Sequence, residues 1–91
     1  MRIEWDEQKR KSNLQKHGFD FRDAHFVFAG DTASFLDDRE DYGEDRYVTL
    51  GLLRSVVVVV IHTEDDTHIR MISMRRATSH EEKLYFSEIG N

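Results

Sequence analysis

The side chains of this chain that are best suited to chemistry on a phosphodiester lie close together in the sequence, between the end of an apolar run and a later tyrosine. Arginine stays protonated and binds a phosphate through two parallel hydrogen bonds, and histidine gains or loses a proton near neutral pH. Such groups can bind a phosphate, stabilise charge on it and transfer protons. The residues concerned are His62, His68, Arg70, Ser73, Arg75, Arg76 and Tyr85.

Cleavage of RNA without a metal needs a base for the ribose 2′-OH, an acid for the leaving 5′-oxygen and cations for the phosphate. His62 is the candidate acid or base, and Arg70 with Arg75 are candidate phosphate ligands on one strand. Two other interpretations stay open. An arginine at a strand end commonly pairs with a surface carboxylate, and a single histidine on a half-buried strand is often structural.

Several classes of site are disfavoured by the sequence. It contains no P-loop, GxGxxG, HExxH or GxSxG motif, and its aspartate-rich stretches lack the ligand spacing of an EF-hand. His62 and His68 lie across a predicted hairpin without further histidines or regularly spaced carboxylates, which supports a metal site only weakly. The absence of cysteine excludes disulfides and thiolate ligands. We therefore predict neither a metal nor another cofactor.

The net charge of −5 comes from the middle of the chain. Residues 31–66 hold ten acidic and three basic side chains, a balance of −7, whereas residues 1–30 and 67–91 are each at +1. This balance argues against a protein that coats nucleic acid through a uniformly basic surface. The acidic stretches at 37–45 and 64–66 are typical of solvated loops, and the alternative is a surface for a basic partner.

The length of 91 residues fits one domain, residues 1–91, with a modest core. There is no apolar run near the roughly 18 residues of a membrane span and no secretory leader, so we expect a cytoplasmic protein that does not enter a membrane.

The ends of the chain have helical patterns. Asp6 is a good N-cap for a helix over 7–17 that Gly18 ends, and Asp20 can cap a second helix over 21–29. Near the C-terminus, the pattern Ser79-x-x-Glu82 fits a capping box for a helix over 80–89.

The middle of the chain has the period of β-strands. β-branched residues predict strands at 32–37, 45–53, 55–62 and 67–74, and residues 2–5 are a weaker candidate for an edge strand. Because the connections are too short for crossover helices, we predict an antiparallel meander. The fold class is thus α+β, with about four strands, two N-terminal helices and one C-terminal helix.

If the hairpin loops at 53–54 and 63–66 both contain an even number of residues, alternation along the strands predicts which side of the sheet faces solvent. One side would then be an open face that carries Tyr47, Thr49, Gly51, His62, Ile69, Met71, Ser73 and Arg75. The other would be the core face, which carries Arg46, Val48, Leu50, Leu52, Val57, Val59, Ile61, His68, Arg70, Ile72 and Met74.

The order and spacing of several stretches resemble the BrnT toxins of bacterial type II toxin-antitoxin systems. They are Trp5-Asp6, NLQKHG at 13–18, Phe21 with Ala24, DYGEDR at 41–46, the valine run ending in His62-Thr63, RMISMRRA at 70–77, and Tyr85. The resemblance covers nearly the whole chain. Two features depart from the usual pattern, namely Met74 in place of a small residue and a short loop at 52–55.

This resemblance implies a RelE-like fold and a ribonuclease that blocks translation. It also implies a BrnA-like ribbon-helix-helix antitoxin that neutralises the toxin in a hetero-oligomer, through which alone the toxin would meet DNA. Carried over to this chain, it strengthens Arg70 and Arg75 as phosphate ligands.

The complete prediction assigns three kinds of role. Catalytic residues are His62, Arg70, Arg75 and Tyr85; RNA-binding residues are Arg46, Arg76 and Lys16; supporting residues are Glu44 and Ser73. Structural alternatives stay open for most of them: a core position for Tyr85, a salt bridge between Glu44 and Arg46, and helix termination for Lys16. The predicted function is a metal-independent endoribonuclease toxin, and the rival is a catalytically weak binding module in a repressor complex.

Overall fold

A computed structural model describes residues 1–90 as a five-stranded sheet with three helices. The elements along the chain are β1 (Arg2–Glu4), α1 (Glu7–His17), a 3₁₀ turn (Phe21–Asp23), α2 (Ala24–Ala29), β2 (Thr32–Asp37), β3 (Arg46–Leu53), β4 (Val56–Glu64), β5 (His68–Arg76) and α3 (Ser79–Ile89). The strands lie in the order β1-β5-β4-β3-β2. The predicted α+β class is confirmed, with five strands rather than four.

Helix α1 begins and ends where the sequence indicates. The Asp6 carboxylate accepts hydrogen bonds from the amides of Gln8 and Lys9. Gly18 closes the helix in the left-handed region, at φ 79°, and donates to the carbonyl of Leu14. These are the interactions expected of an N-cap and of a glycine after a helix.

The other two helices differ in detail from the prediction. The segment 21–29 is a 3₁₀ turn followed by the short helix α2, because Asp20 caps the amide of Arg22 and a separate turn forms first. The predicted capping box of α3 is wrong by one residue. Thr78 accepts from the amide of Glu81, and the Glu81 carboxylate accepts from the amide of Thr78.

Strands β2 to β5 form the predicted antiparallel meander, whereas β1 lies parallel to β5. The prediction of a wholly antiparallel sheet is therefore wrong. Short connections exclude parallel pairing only between strands that are neighbours in the chain. β1 is separated from β5 by most of the sequence, so that argument does not apply to it.

Both faces of the sheet are covered by helices, which contradicts the prediction of one open face. On the first, here called the helix 2 face, Val58 and Val60 pack with Phe21, Ala24 and Val27. On the second, the helix 3 face, Leu50, Val57, Val59 and Ile61 pack with Tyr85. Thr49 and His62, expected on the open face, are buried.

An irregularity in β4 and β5 redistributes the side chains of β5. The register shifts between Ile61 and His62, so that His62 pairs with Met71 while Ile61 pairs with Ser73. Such a bulge changes which face the following residues occupy. Met74, opposite Val60, joins the helix 2 face, and Arg75, opposite Val59, joins the helix 3 face.

Helix α1 is fixed to the sheet by one side chain. The Asn13 amide donates to the carbonyl of Met74 at 2.8 Å, and its oxygen accepts from the Met74 amide at 3.1 Å. The same nitrogen donates to the carbonyl of Phe19 at 3.1 Å. β1 pairs with β5 only as far as Arg70, so Asn13 takes the place of a neighbouring strand further along β5.

None of the helices among the described residues has the length and apolar character needed to span a bilayer.

Candidate functional site

The helix 3 face carries a groove beyond the part that α3 covers. Phe35, Val48 and Ile61 of the sheet line this groove together with two arginines, Arg39 from the loop after β2 and Arg75 from β5. The volume is about 270 Å³. We call it the arginine groove; Leu36, Asp37, Asp38 and Glu81 complete its lining.

Arg75 is held by a carboxylate of the following helix. Its two terminal nitrogens donate to the two oxygens of Glu81, each at 2.8 Å. The bonds from Arg75 hold the pKa of Glu81 down to about 2, so this carboxylate is ionised at neutral pH. About a third of the Arg75 side chain is exposed. The pair thus fixes a guanidinium at the groove.

Arg39 is oriented in the same way by Asp37. Its Nε and one terminal nitrogen donate to the two carboxylate oxygens of Asp37, each at 2.8 Å. Bonding to Arg39 holds the pKa of Asp37 at about 2. Hydrogen bonds to Glu81 raise the pKa of Arg75, and the nearby charge of Arg39 acts against this rise. Both guanidinium groups thus line one groove, each paired with a carboxylate.

Arg70 lies apart from the arginine groove. It is exposed and lines a separate cleft of about 400 Å³ with His68, Tyr47 and Thr63. Five carboxylates line the same cleft: Glu4, Glu44, Asp45, Glu64 and Asp65. Since antiparallel partners share a face, the pairing of Arg70 with Thr63 places it on the helix 3 face.

Arg46 contacts two residues of the loop that precedes it, Tyr42 and Glu44. The guanidinium carbon of Arg46 is 4.1 Å from the centre of the Tyr42 ring, a cation–π contact. Its Nε is 3.8 Å from the Glu44 carboxylate, and that nitrogen is buried with no hydrogen-bond partner among the described residues. Tyr42 and Glu44 therefore form one local cluster with Arg46.

His62 is on the opposite face from these arginines. It is 1% exposed, beneath Phe28 of α2, and its Nε2 is 2.7 Å from the Thr49 hydroxyl. Burial lowers the pKa of His62, which keeps the imidazole neutral at pH 7. The structure does not bring His62 together with Arg70 or Arg75.

Tyr85 is on the helix 3 face but turned into the core. It is 1% exposed, and its hydroxyl donates to the carbonyl of Asp31 at 2.9 Å. Burial raises the pKa of the phenol. In this conformation Tyr85 fastens α3 to the start of β2, and its ring is out of reach of a bound base.

The remaining predicted residues separate into two groups. Arg76 is exposed and lies opposite Val58, on the helix 2 face, away from Arg75. Lys16 and Ser73 lie together, in a cleft between α1 and β5.

Sequence reasoning missed Arg39 and Asp38. Arg39 lies within a run of acidic residues, which indicates a solvated loop, and no spacing marks it as a neighbour of Arg75. Only the hairpin from β2 to β3 brings that loop beside the end of β5. Among residues 1–90, no group of three or more His, Asp or Glu side chains is arranged to hold a metal ion.

A comparison with protein families identifies the chain. The family model described as "Ribonuclease toxin, BrnT, of type II toxin-antitoxin system" matches residues 5–81. The chain belongs to the BrnT family. The match extends from Trp5 to Glu81 and so includes the whole sheet from β2 onward and the ion pair of Arg75 with Glu81. No curated protein matches the sequence.

Membership of the BrnT family confirms the resemblance and carries a general function. Proteins of this family are ribonuclease toxins of type II toxin-antitoxin systems, which implies an antitoxin as partner. Within a BrnT protein, a site that can hold a phosphodiester is therefore the one to seek.

Proposed function

We propose that this BrnT protein is an endoribonuclease that holds the scissile phosphodiester in the arginine groove and cleaves it by attack of the ribose 2′-OH, without a metal. The observation that carries the proposal is that the guanidinium groups of Arg39 and Arg75 line one groove with an apolar part of the sheet. Each is already paired with a carboxylate, and the N–H groups that these pairs leave free can donate to an anion placed between them. A phosphate has the charge and the acceptor oxygens for that position.

The groove also offers a surface for a base. Phe35 is 37% exposed at the groove, beside the partly buried Val48. Bases of single-stranded RNA stack on exposed aromatic rings. A nucleotide whose base packs on Phe35 would place its phosphate near the two arginines.

The cations act on the transition state. Attack of the 2′-oxygen forms a bond to phosphorus and adds negative charge to the phosphate oxygens. Donors that are already oriented stabilise this charge without reorganising, and removal of one such donor commonly slows a reaction about 100- to 1000-fold. Glu81 and Asp37 keep Arg75 and Arg39 oriented in this way.

Proton transfer needs a group other than His62 or Tyr85, because both are buried. Asp38 lines the groove, is exposed, and forms no ion pair among the described residues. We assign it the role of the base that accepts the 2′-OH proton. The bond from phosphorus to the 5′-oxygen then breaks, water protonates that oxygen, and the products are a 2′,3′-cyclic phosphate and a 5′-hydroxyl.

Three other predicted residues support the groove by binding phosphates beside it or by orienting an arginine. Arg70 and Arg46 share the helix 3 face with Arg75 and are candidates to bind neighbouring phosphates. Glu44 orients Arg46. These roles rest on register and exposure.

The finer biological features follow from the family resemblance and are part of the proposal. They are a RelE-like architecture in one toxin domain, inhibition of translation in the cytoplasm, and neutralisation by a BrnA-like ribbon-helix-helix antitoxin in a hetero-oligomer.

Cleavage of an RNA in excess EDTA tests the chemistry. Purified protein is mixed with a labelled single-stranded RNA, and the product ends are analysed. We expect cleavage at an undiminished rate with EDTA and products that end in 2′,3′-cyclic phosphate. Loss of cleavage on chelation, restored by a divalent ion, would indicate a metal-dependent nuclease instead.

A second candidate function is a binding module with little catalytic power that acts in a repressor complex. The burial of His62 and the engagement of Arg75 by Glu81 favour it, since both reduce the groups free for catalysis. Expression without antitoxin separates the two. Growth arrest supports the enzyme, and unimpaired growth with correctly folded protein supports the binding module.

A further inference from the structure

A second basic region lies where α1 meets β5. Lys9, Ser12 and Lys16 of α1 line a cleft of about 240 Å³ together with His17, Ile72 and Ser73. Asn13 completes the lining, and none of the lining residues is a carboxylate. The whole chain has a net charge of −5, whereas the charged side chains that line this cleft are all basic. We call it the basic cleft.

The helix period puts the cleft residues on one side of α1. Positions 9, 12, 13 and 16 follow the spacing i, i+3, i+4 and i+7, which places them on a single face. The buried Asn13 lies in the middle of that face and bonds both backbone groups of Met74. The two lysines therefore project beside β5 from a helix whose position is fixed.

The lysines have no carboxylate partner in the described part of the chain. Neither Lys9 nor Lys16 has an acidic oxygen within 4.0 Å, although Arg10 on the same helix pairs with Glu7 and Asp20. Ser12 and Ser73 also form no side-chain hydrogen bond within residues 1–90, so both hydroxyls are free to donate. Two ammonium groups and two hydroxyls are the donors that an RNA backbone uses.

The cleft opens toward the face that holds the arginine groove. Ile72 lines the cleft and also packs against the core cluster of the helix 3 face. Along β5 it lies between the exposed Arg70 and the partly buried Arg75, which share that face. A strand of RNA held at Arg75 can therefore continue over the edge of β5 toward Lys9 and Lys16.

We propose that the basic cleft binds phosphates of the single-stranded RNA that flanks the scissile linkage, and so positions the substrate. This inference rests on the proposed ribonuclease function. Lys9 and Lys16 are positioning residues, because they contact the backbone away from the reacting atoms. Contacts of this type carry no base information, so they strengthen binding equally for all sequences.

The test uses a 2′-O-methyl RNA, which has no free 2′-OH and is bound without being cleaved. Its affinity is measured against salt concentration for the wild type and for the double variant Lys9→Gln/Lys16→Gln. The control is Lys11→Gln/Lys83→Gln, which removes the same charge from exposed residues outside the cleft. All proteins are checked for unchanged thermal stability.

The expected result is a change in salt dependence. Each lost phosphate contact on a single strand lowers the slope of log K against log salt by about 0.7, so the cleft variant should lose about 1.4. The difference in affinity between wild type and variant should then shrink roughly sevenfold between about 50 and about 200 mM salt. A U-rich and an A-rich probe should lose affinity equally, and the control should keep the wild-type slope.

A cleavage assay with unmodified RNA distinguishes this inference from the function on which it rests. The cleft variant should raise KM and leave kcat within about twofold, as expected for uniform binding. If the wild type cleaves and the cleft variant matches the control in slope and KM, the cleft inference is wrong and the ribonuclease stands. If the wild type cleaves nothing but the cleft variant still lowers the slope of log K against log salt, the ribonuclease proposal fails and the inference about the basic cleft is supported. Absence of any binding by the wild type overturns the cleft.

Discussion

His62 shows how a reactive residue type takes a structural position. Its imidazole is buried between Phe28 and Tyr47 and bonds the hydroxyl of Thr49, which in turn bonds that of Ser34. Only the Nε2 side of the ring has a partner, since Nδ1 is buried without one among the described residues. A neutral ring is the form that such a site stabilises.

Replacement of His62 by glutamine should remove a pH dependence of stability. Burial lowers the pKa of His62, so below about pH 6.5 the unfolded chain takes up a proton that the folded chain does not. This contribution to stability is complete above that pH and declines as the pH falls, by at most about 1.4 kcal/mol per pH unit. Urea titrations between pH 7 and 5 should show the decline in the wild type and a smaller one in His62→Gln.

The same variant tests the catalytic role predicted from the sequence. Glutamine can keep the bond to Thr49, and the groove lies on the other face, so we expect cleavage within about twofold of the wild type at pH 7. A cleavage rate about 100-fold below that of the wild type, in a variant that still folds, would show that His62 is catalytic.

Asn13 should be the most sensitive polar residue in α1. Asn13→Leu leaves the amide and carbonyl of Met74 without partners in a buried place, and each such group costs about 1 to 3 kcal/mol. Denaturant unfolding should show a loss of about 2 to 6 kcal/mol. Gln15→Leu, exposed on the same helix, is the control and should change stability by less than about 0.5 kcal/mol. Equal effects of the two variants would contradict this role.

Single residue types suggested which side chains could bind a phosphate, but they did not show which neighbours each side chain contacts in the fold. The types and spacing of Arg70 and Arg75 led to the prediction of a phosphate site, which stays a prediction. Nothing local in the sequence showed that Glu81 would bind Arg75, because that contact depends on where α3 begins.

The elements themselves were largely predictable, and their faces were not. β-branched runs fixed strands β2 to β5 within one or two residues, and Asp6 with Gly18 fixed α1. The bulge near Ile61 has no signal in five successive valines, and it decides the face of Arg75. An alternation of faces that is continued across this bulge therefore puts the later residues of β5 on the wrong side of the sheet.

The turn between β3 and β4 contains unfavourable residues. Arg54 and Ser55 both have positive φ, 49° and 71°, as a two-residue hairpin turn requires, whereas glycine and asparagine are the residues that suit it. Because a side chain in this conformation costs about 1 kcal/mol, Ser55→Gly should stabilise the protein by about that amount in thermal unfolding. Ser87→Gly in α3 should instead destabilise it by about 0.5 to 1 kcal/mol. A stability loss in Ser55→Gly would show that the turn is held differently.

Helix α2 approaches β3 closely at Gly51. A Cβ atom there would be 2.6 Å from a methyl group of the buried Val27, too close for an ordinary contact. Gly51→Ala should therefore cost about 1 to 3 kcal/mol through displacement of α2. Gly30→Ala, whose nearest atoms are 3.8 Å away, is the matched control and should have little effect. Comparable denaturation midpoints for the two variants would contradict the close packing.

For the whole molecule, composition and periodicity were enough to predict the α+β class, and resemblance was enough to predict the family. They indicated β1 only as a weak candidate for an edge strand, because a strand of three residues has little pattern. They missed its parallel pairing, because its partner is far away in the sequence. Alternation along the strands also predicted a solvent-exposed face that does not exist, since helices pack on both sides of the sheet. Where these short helices pack depends on the path of the chain, which the strand pattern does not show.

The charges of the molecule are unevenly distributed over its surface. The acidic loop at 37–45 surrounds Arg39, while the basic cleft lies beside α1. RNA that binds at the arginine groove and the basic cleft, as proposed, contacts cations only locally, and its binding should weaken as salt rises.

The most direct test of the central claim is the single-turnover rate of RNA cleavage in EDTA by Arg39→Gln and Arg75→Gln. Arg22→Gln, an exposed arginine on the 3₁₀ turn away from the groove, is the control. If the groove holds the scissile phosphate, each groove variant should be at least about tenfold slower while still folded, and the control should match the wild type. Equal rates for all four proteins would contradict the account.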